Sequence, residues 1–446
     1  MLVEQIYDKG LAQASYIIES EGKIALVDPA RDPRPFEEYA KKRNAKIVAV
    51  FETHPHADFT SSHLEFAKRH GATIYVNPKM AASYDHVALD DGQEVEIGKV
   101  KIKAKFTPGH SPDHNTYILY DENGKEHAVF TGDSLFIGDV GRPDLREGAG
   151  NVRMNKEELA EQMYDTVRNF YQKLHDDVLV YPAHGAGSAC GKNLSSETIS
   201  TIGKQREENW AMKTADREAF VQNLLEDQPV APKYFPYDVT LNLIGLEDFG
   251  EAVKKVKREI TTATIPGNAI VVDVRSPEKF KKGHLPGAIN IPNGGKFENW
   301  LGTIISPDER FYLLSDDEAE LEEVIKKSAK IGYEKLILSG IATNEELPAT
   351  SSFAPFDELQ ESPRQYTIVD VRNESEVQEQ KPFANSRHIP LARLRDRMDE
   401  IPGDKPVAVH CAAGYRSAIA ASLIERAKNG KLKVLDIGEN IKKVLK

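Results

Sequence analysis

The stretch FETHPHADFTSSH, residues 51 to 63, sets His54, His56 and Asp58 at alternating positions directly after an apolar run. Imidazoles two apart at the end of a strand can turn toward one point, and a carboxylate two further on can join them. His110 in FTPGH, Asp133 in FTGD and His184 in YPAHG each close another β-rich run. One such histidine could simply cap a loop by hydrogen bonding. Six residues of these types, all at strand ends, predict a metal site. Phe59, directly after Asp58, cannot coordinate a metal and puts an apolar wall where a further ligand could stand.

A second candidate centre lies near the C-terminus, in VAVHCAAGYRSAIAASLIERA. It reads as a buried strand, a tight loop and a helix, with Cys411 at the strand end and Arg416 leading into the helix. A loop wrapped at a helix N-terminus turns backbone N–H groups inward and favours an anion. A cysteine held there is favoured as thiolate, the nucleophilic form. Ala412, Ala413, Gly414 and Tyr415 are then the backbone of a substrate-binding loop. Cys-x4-Arg also suits a phosphatase loop, so sulfur and phosphate remain open on these residues alone. Cys190 follows His184 by six residues in the Gly-rich YPAHGAGSACGK, either as a buried structural thiol or at the mouth of the metal pocket.

These residues need strands to carry them. ASYIIE and KIALVDPA read as a hairpin across a Glu-Gly turn, PFEEYAKKR as a helix and KIVAVFETH as a buried strand. TIYV, VKIKAKFTPGH, TYILY, AVFTGDSLF and LVYPAHG read as further strands, and residues 195 to 228 as helical. QPVAPKYFPYD, with three prolines, reads as a linker. After it, NAIVVDVRSPEKFKKGHLPGAINIP is repeated 97 positions later by YTIVDVRNESEVQEQKPFANSRHIPLARL, pairing Asp273 with Asp370 and Arg275 with Arg372. That length means a duplicated domain, and NEELPATSSFAPFDELQESP reads as the link between the copies. Three domains are expected, over 1–235, 236–350 and 351–446.

Bulk properties agree with that division. A chain of 446 residues makes about three domains. Lys plus Arg number 58 against 70 Asp plus Glu, a net charge of −12, which argues against nucleic acid and anionic membrane as partners. No 18-residue apolar run and no basic-then-apolar leader is evident, and two cysteines make no disulfide framework. A cytoplasmic protein, forming a homo-oligomer, is expected.

THPHAD, PGHSPDH, TGDSLF and PAHG, in that order, resemble the metallo-β-lactamase superfamily, which implies an αββα sandwich. Its hydrolytic branch, including zinc thioester hydrolases of the glyoxalase II kind, places a second-metal histidine where Phe59 stands. GDVGRPDL after Asp133 looks like the persulfide dioxygenase branch. That branch implies one Fe(II) per chain on His54, His110 and Asp133, a two-histidine, one-carboxylate set suited to O2 chemistry. His56, Asp58 and His184 would then orient ligands or serve as additional ones. Arg142 becomes a candidate anchor for an anionic thiol substrate, against a structural salt bridge.

IVDVRNESE, SRHIPLARL and VHCAAGYRS are similar to a rhodanese, a parallel-sheet α/β sulfurtransferase, with the family's GHIPGA eroded to SRHIPLA. This resemblance favours sulfur over phosphate. It implies a Cys411 persulfide, with Arg416 and backbone amides binding thiosulfate or sulfite. The first copy, better kept in outline, has Ser315 for the cysteine and Glu320 for the arginine in FYLLSDDEAELEEV, and is expected to be inactive. Together the resemblances imply a persulfide dioxygenase–rhodanese fusion acting in sulfide detoxification on a small-molecule persulfide, O2 and sulfite or thiosulfate. The alternatives are a zinc-dependent thioester hydrolase fused to rhodanese, or a non-enzymatic sulfane-sulfur carrier or sensor.

Overall fold

Strands Gln13–Ser20 and Lys23–Val27 are joined across Glu21 and Gly22, both at positive φ, the geometry of a tight hairpin turn. They are the centre of a six-stranded sheet ordered Leu2–Asp8, Gln13–Ser20, Lys23–Val27, Lys46–Phe51, Thr73–Val76 and Val87–Ala88. A second six-stranded sheet runs Ser200–Thr201, Leu179–Pro182, Glu126–Gly132, Asn115–Tyr120, Val100–Phe106 and Glu94–Ile97. The computed structural model describes residues 1–146 and 154–445.

Alternation of side chains along each strand sends one face of each sheet into a shared core. Tyr16, Val27 and Phe51 from the first sheet meet Ile102, Tyr117, Phe130 and Tyr181 from the second. The opposite faces are covered by helices. Phe36 and Phe66 pack on Ile17, Ile24 and Leu26, while Met163, Val167 and Phe220 pack on Ile118, Val129 and Val180. This is the expected αββα sandwich. At roughly 1.5–3 kcal/mol per fully buried large apolar side chain, these three clusters supply most of the unit's cohesion.

Helix Phe235–Ile244 corrects the reading of QPVAPKYFPYD as a linker. Pro236 sits in the helix's first turn, where a missing N–H costs nothing, so the proline that looked like a breaker is a starter. Tyr234, Phe235 and Asp238 are buried. The first compact unit runs Met1–Ala252, together with Ala329–Gly332.

The second unit, Val253–Ser328 with Tyr333–Lys446, holds two five-stranded sheets of identical order. One is Arg258–Glu259, Ile337–Ala342, Phe311–Ser315, Ile270–Asp273, Ile289–Asn290. The other is Ser352–Phe353, Val434–Asp436, Val407–His410, Thr367–Asp370, Arg387–His388. Every pairing in both is parallel. The segment read as a link between copies instead contributes strand Ser352–Phe353 and helix Phe356–Glu361, whose Phe356 and Leu359 are buried. The two copies are stapled by side chains. Lys281 Nζ lies 2.8 Å from Asp436 Oδ2, both buried, and Arg395 makes two 2.7 Å contacts with Glu309. No helix among the described residues is long and apolar enough to cross a membrane.

Candidate metal centre and thiol loop

Strand Lys46–Phe51 of the first sheet delivers His54, while Val100–Phe106, Glu126–Gly132 and Leu179–Pro182 of the second deliver His110, Asp133 and His184. All are buried, as are His56 and Asp58. His54, His110 and Asp133 each present a ligand atom, all within 4.8 Å of one another. Asp133 Oδ2 is 4.0 Å from His54 Nε2 and 3.7 Å from His110 Nε2, near the roughly 3.4 Å separating two ligands that share a metal at ~2.1 Å.

The tautomers are set from behind. Thr53 Oγ1 donates to Asp28 Oδ2 at 2.8 Å, which leaves it to accept from His54 Nδ1 at 3.0 Å. His110 Nδ1 is 2.8 Å from the Arg142 carbonyl, and His184 Nδ1 is 3.2 Å from that of Ala12. A carbonyl only accepts, so these Nδ1 atoms carry the protons and the three Nε2 lone pairs face inward. All three Nε2 atoms, with Asp133 Oδ1 and Asp58 Oδ1, are buried without a hydrogen-bond partner. Leaving so many buried polar atoms unpaired would cost ~1–3 kcal/mol each. A cation between His54, His110 and Asp133 would satisfy the Nε2 atoms of the two histidines, so this donor set fits a metal.

Protonation behaviour says the same. Burial, with His56, His110 and His114 beside it, holds His54 well below the ordinary histidine pKa, so it stays neutral and free to ligate. Burial also lowers His110. On His184 burial opposes a positive charge, yet Asp58 and Asp133 outweigh it and raise the pKa well above the ordinary value. His56, 3.2 Å from Asp28 Oδ1, is raised in the same way against burial by Asp28, Asp133 and Asp58. This corner attracts positive charge.

Phe59 is buried with its ring centroid 4.3 Å from that of His56, the apolar wall expected there. Its carbonyl and that of His56 both accept from Asn242 Nδ2 at 2.8 Å, and Asn242 Oδ1 accepts from the Ser61 N–H. Tyr234 adds a bond to the Asp58 carbonyl. The helix misread as a linker therefore shapes the metal loop. Asp28, Asn242 and His114, which accepts from the Asp133 N–H at 3.2 Å and stacks on His54, went unassigned from sequence. The second histidine of PGHSPDH was the one local signal for His114.

Arg142 makes the salt bridge that was weighed against substrate anchoring. Its Nε and Nη2 bond Asp144, Nη1 the Ala189 carbonyl, and Nη2 also the Pro229 carbonyl, all in a site 1% exposed. Four of its five N–H groups are thus engaged within the protein. The motif GDVGRPDL serves position instead: a Cβ on Gly141 would fall 1.8 Å from the Asp133 carbonyl oxygen. Arg146, buried with Nε unpartnered, touches Asp113 and the Pro55 carbonyl and was also missed. Cys190 is buried, and its ligand atom groups with those of Asp58 and His184.

In the second unit, strand Val407–His410 ends at Cys411 and helix Tyr415–Ala427 begins four residues on. Gly414 makes the turn at φ 98°, a conformation that disfavours any side chain, and its N–H donates to Cys411 Sγ at 3.1 Å. Ala412 is half-buried and Ala413 exposed. Arg416, expected on the bound anion, is anchored on Glu376 through bonds of 2.6 and 2.7 Å that use two of its five N–H groups. It fixes the end of the loop. Tyr415 reaches out of the loop to the Pro292 carbonyl of the other copy at 2.8 Å. In that copy Ser315 Oγ donates to Glu320 at 2.6 Å, closing the corresponding loop on itself.

The chain belongs to the metallo-β-lactamase superfamily, whose pattern matches residues 8–184, and it carries two rhodanese-like domains, at 253–340 and 354–440. A metallo-beta-lactamase of Staphylococcus aureus subsp. aureus COL, known from a crystal structure, is 30% identical with a TM-score of 0.70. The match covers 77% of this chain and 99% of that one. Persulfide dioxygenase ETHE1, mitochondrial, of Homo sapiens is 26% identical over 247 residues, 54% of this chain and 88% of that protein. A hydroxyacylglutathione hydrolase of Dictyostelium discoideum is 31% identical over 173 residues, 38% of this chain and 60% of that protein.

Proposed function

We propose that this chain is an enzyme of sulfur metabolism, a persulfide dioxygenase joined to a sulfurtransferase. The observation that carries the reading is the grouping of His54, His110 and Asp133, in one chain with the Cys411 loop. These three residues would hold one Fe(II), which when bound supplies the one-electron chemistry that O2 requires to react with a closed-shell sulfur anion. Thr53 and the Arg142 carbonyl keep the imidazoles turned to it, and Asn242 keeps the loop closed over it. Likeness to the persulfide dioxygenase ETHE1 and to rhodaneses supports the substrate class.

The net oxidation takes one thiol persulfide, RSSH, one O2 and one water to thiol and sulfite with its two protons. At the second site Cys411 attacks the outer sulfur of a persulfide, the S–S bond breaks and RSH leaves with the proton. The resulting Cys411 persulfide passes its outer sulfur to sulfite, giving thiosulfate and restoring the thiolate. The Gly414 N–H and the start of helix Tyr415–Ala427 favour negative charge on that sulfur.

Protein purified without air should carry iron and consume O2 when given a glutathione persulfide, with sulfite or thiosulfate as product. The similarity to hydroxyacylglutathione hydrolases favours a zinc thioester hydrolase as the second reading. Thioester hydrolysis with no O2 uptake would establish that reading and overturn the first.

A further inference from the structure

The side-chain charges around Cys411 nearly cancel. Arg372 is held by the Asp370 carboxylate through Nε and Nη2, and its Nη1 and Nη2 also donate to the carbonyls of Glu376 and Gln380. Arg416 Nη1 and Nη2 lie 2.6 and 2.7 Å from the two carboxylate oxygens of Glu376. Burial pushes the Glu376 carboxyl up and Arg416 pulls it further down, so it is ionised at neutral pH. His410, one residue before the thiol, is lowered by burial to about 4 and is neutral there. What favours an anion at Cys411 Sγ is then the Gly414 N–H, at 3.1 Å, and the first turn of helix Tyr415–Ala427, worth about half a positive charge.

We propose that Glu376 is a positioning residue that sets the donor preference of this loop. By pairing with Arg416 it matches the loop to monoanionic sulfur donors, such as a small-molecule persulfide anion, and disfavours dianions such as thiosulfate. The inference rests on the sulfurtransferase reading of the Cys411 loop. Arg416 keeps three of its five N–H groups, so it still orients an anion, but the carboxylate behind it cancels the long-range attraction. Uncovered, the Arg416 charge would attract a dianion twice as strongly as a monoanion; covered, it gives the dianion no advantage. Thiosulfate made at the loop is therefore released, while sulfite, partly the monoanion near neutral pH, still enters as acceptor.

The test uses the full-length chain with cyanide as sulfur acceptor and compares thiosulfate with methanethiosulfonate, a monoanion carrying the same outer sulfur. Each donor gives that sulfur to the Cys411 thiolate as its S–S bond breaks, releasing sulfite or methanesulfinate. Cyanide then takes the sulfur, leaves as thiocyanate and restores the thiolate. Glu376→Gln keeps the side chain's length and the bond from the Asn373 N–H that caps its helix, but removes the charge. Its KM should fall about fivefold for thiosulfate and only about twofold for methanethiosulfonate. An unchanged ratio of the two KM values, or a loss of kcat with both donors at unchanged KM, overturns the proposal. Should Glu376→Gln not fold, inhibition of the unaltered chain at equal ionic strength decides: methanesulfonate should inhibit at least as well as sulfate, and stronger inhibition by sulfate overturns the proposal. The assay needs no O2, so it is read apart from the dioxygenase chemistry. Thiocyanate formed with an unchanged ratio sinks this inference alone, whereas no thiocyanate from either donor in the unaltered chain sinks the sulfurtransferase reading with it.

Discussion

The two rhodanese-like copies share strand order, register and even a local ion pair. Arg275 bonds Asp273 through Nε and Nη2 just as Arg372 bonds Asp370. They part company at one loop. In the second copy Cys411 accepts an N–H from Gly414, and Arg416 is anchored on Glu376. In the first, Ser315 donates to Glu320, and Asp316 and Asp317 follow. An acidic loop with no thiol repels sulfur anions and offers them no nucleophile. Most of the fold is kept by pairs outside this loop, so the two loops can differ while strand order and the Asp–Arg pair are kept.

The largest effect should come from Cys411→Ser, which removes the nucleophile but keeps the loop's size. Sulfur transfer from thiosulfate should fall to background while iron content and O2 uptake persist; wild-type transfer would show that the copies do not differ as described. Next is Lys281→Met, which strands Asp436 as a buried, unpaired charge. It should cost about 3–5 kcal/mol in denaturant unfolding of the second unit, and adding Asp436→Leu should recover much of that.

Tyr415→Phe deletes the bond to the Pro292 carbonyl, worth about 1 kcal/mol, and should slow sulfur transfer several-fold without altering O2 uptake. A smaller effect is confined to acid. Burial raises the Glu376 pKa but Arg416 outweighs it, so the folded value lies below the ordinary 4.5. Stability from this pair is present above that value and is lost as pH falls through the lowered one. Glu376→Gln should flatten the acid side of a stability–pH curve, and an unchanged curve would show the pair contributes nothing. Least is expected of Ser315→Cys. With Glu320 still in place it should gain no measurable transfer, and any substantial turnover would mean the missing thiol alone silenced the first copy.

The site was legible where its chemistry sits on strand ends. His54, His110, Asp133 and His184 close apolar runs, and Cys411 stands at a strand-to-helix turn, so local pattern reached them. The supporting residues were not legible, because each acts on a residue far away in sequence. Asp28 works on Thr53, and Asn242 on His56. Arg142 and Arg416 were read as candidate anion binders from the resemblance of GDVGRPDL and VHCAAGYRS to their families. Their partners, Asp144 and Glu376, are ordinary acids that only the folded chain singles out. Proline count hid helix Phe235–Ile244, since composition does not say that Pro236 falls in a first turn.

The Asn242 staple has a consequence for the order of events during synthesis. The peptide groups it bonds lie as much as 186 residues earlier in the chain. At a ribosome adding roughly 5–20 residues per second, the loop bearing His54, His56 and Asp58 waits about 10 to 40 s for its closing helix. Through that interval the histidines are made but not enclosed, open to whichever divalent ion is most abundant or most avid. An ion that exchanges freely then and is locked in afterwards would be chosen by what the cell supplies at that moment. On the proposed reading, the metal the chain comes to hold would depend on timing as well as on ligands.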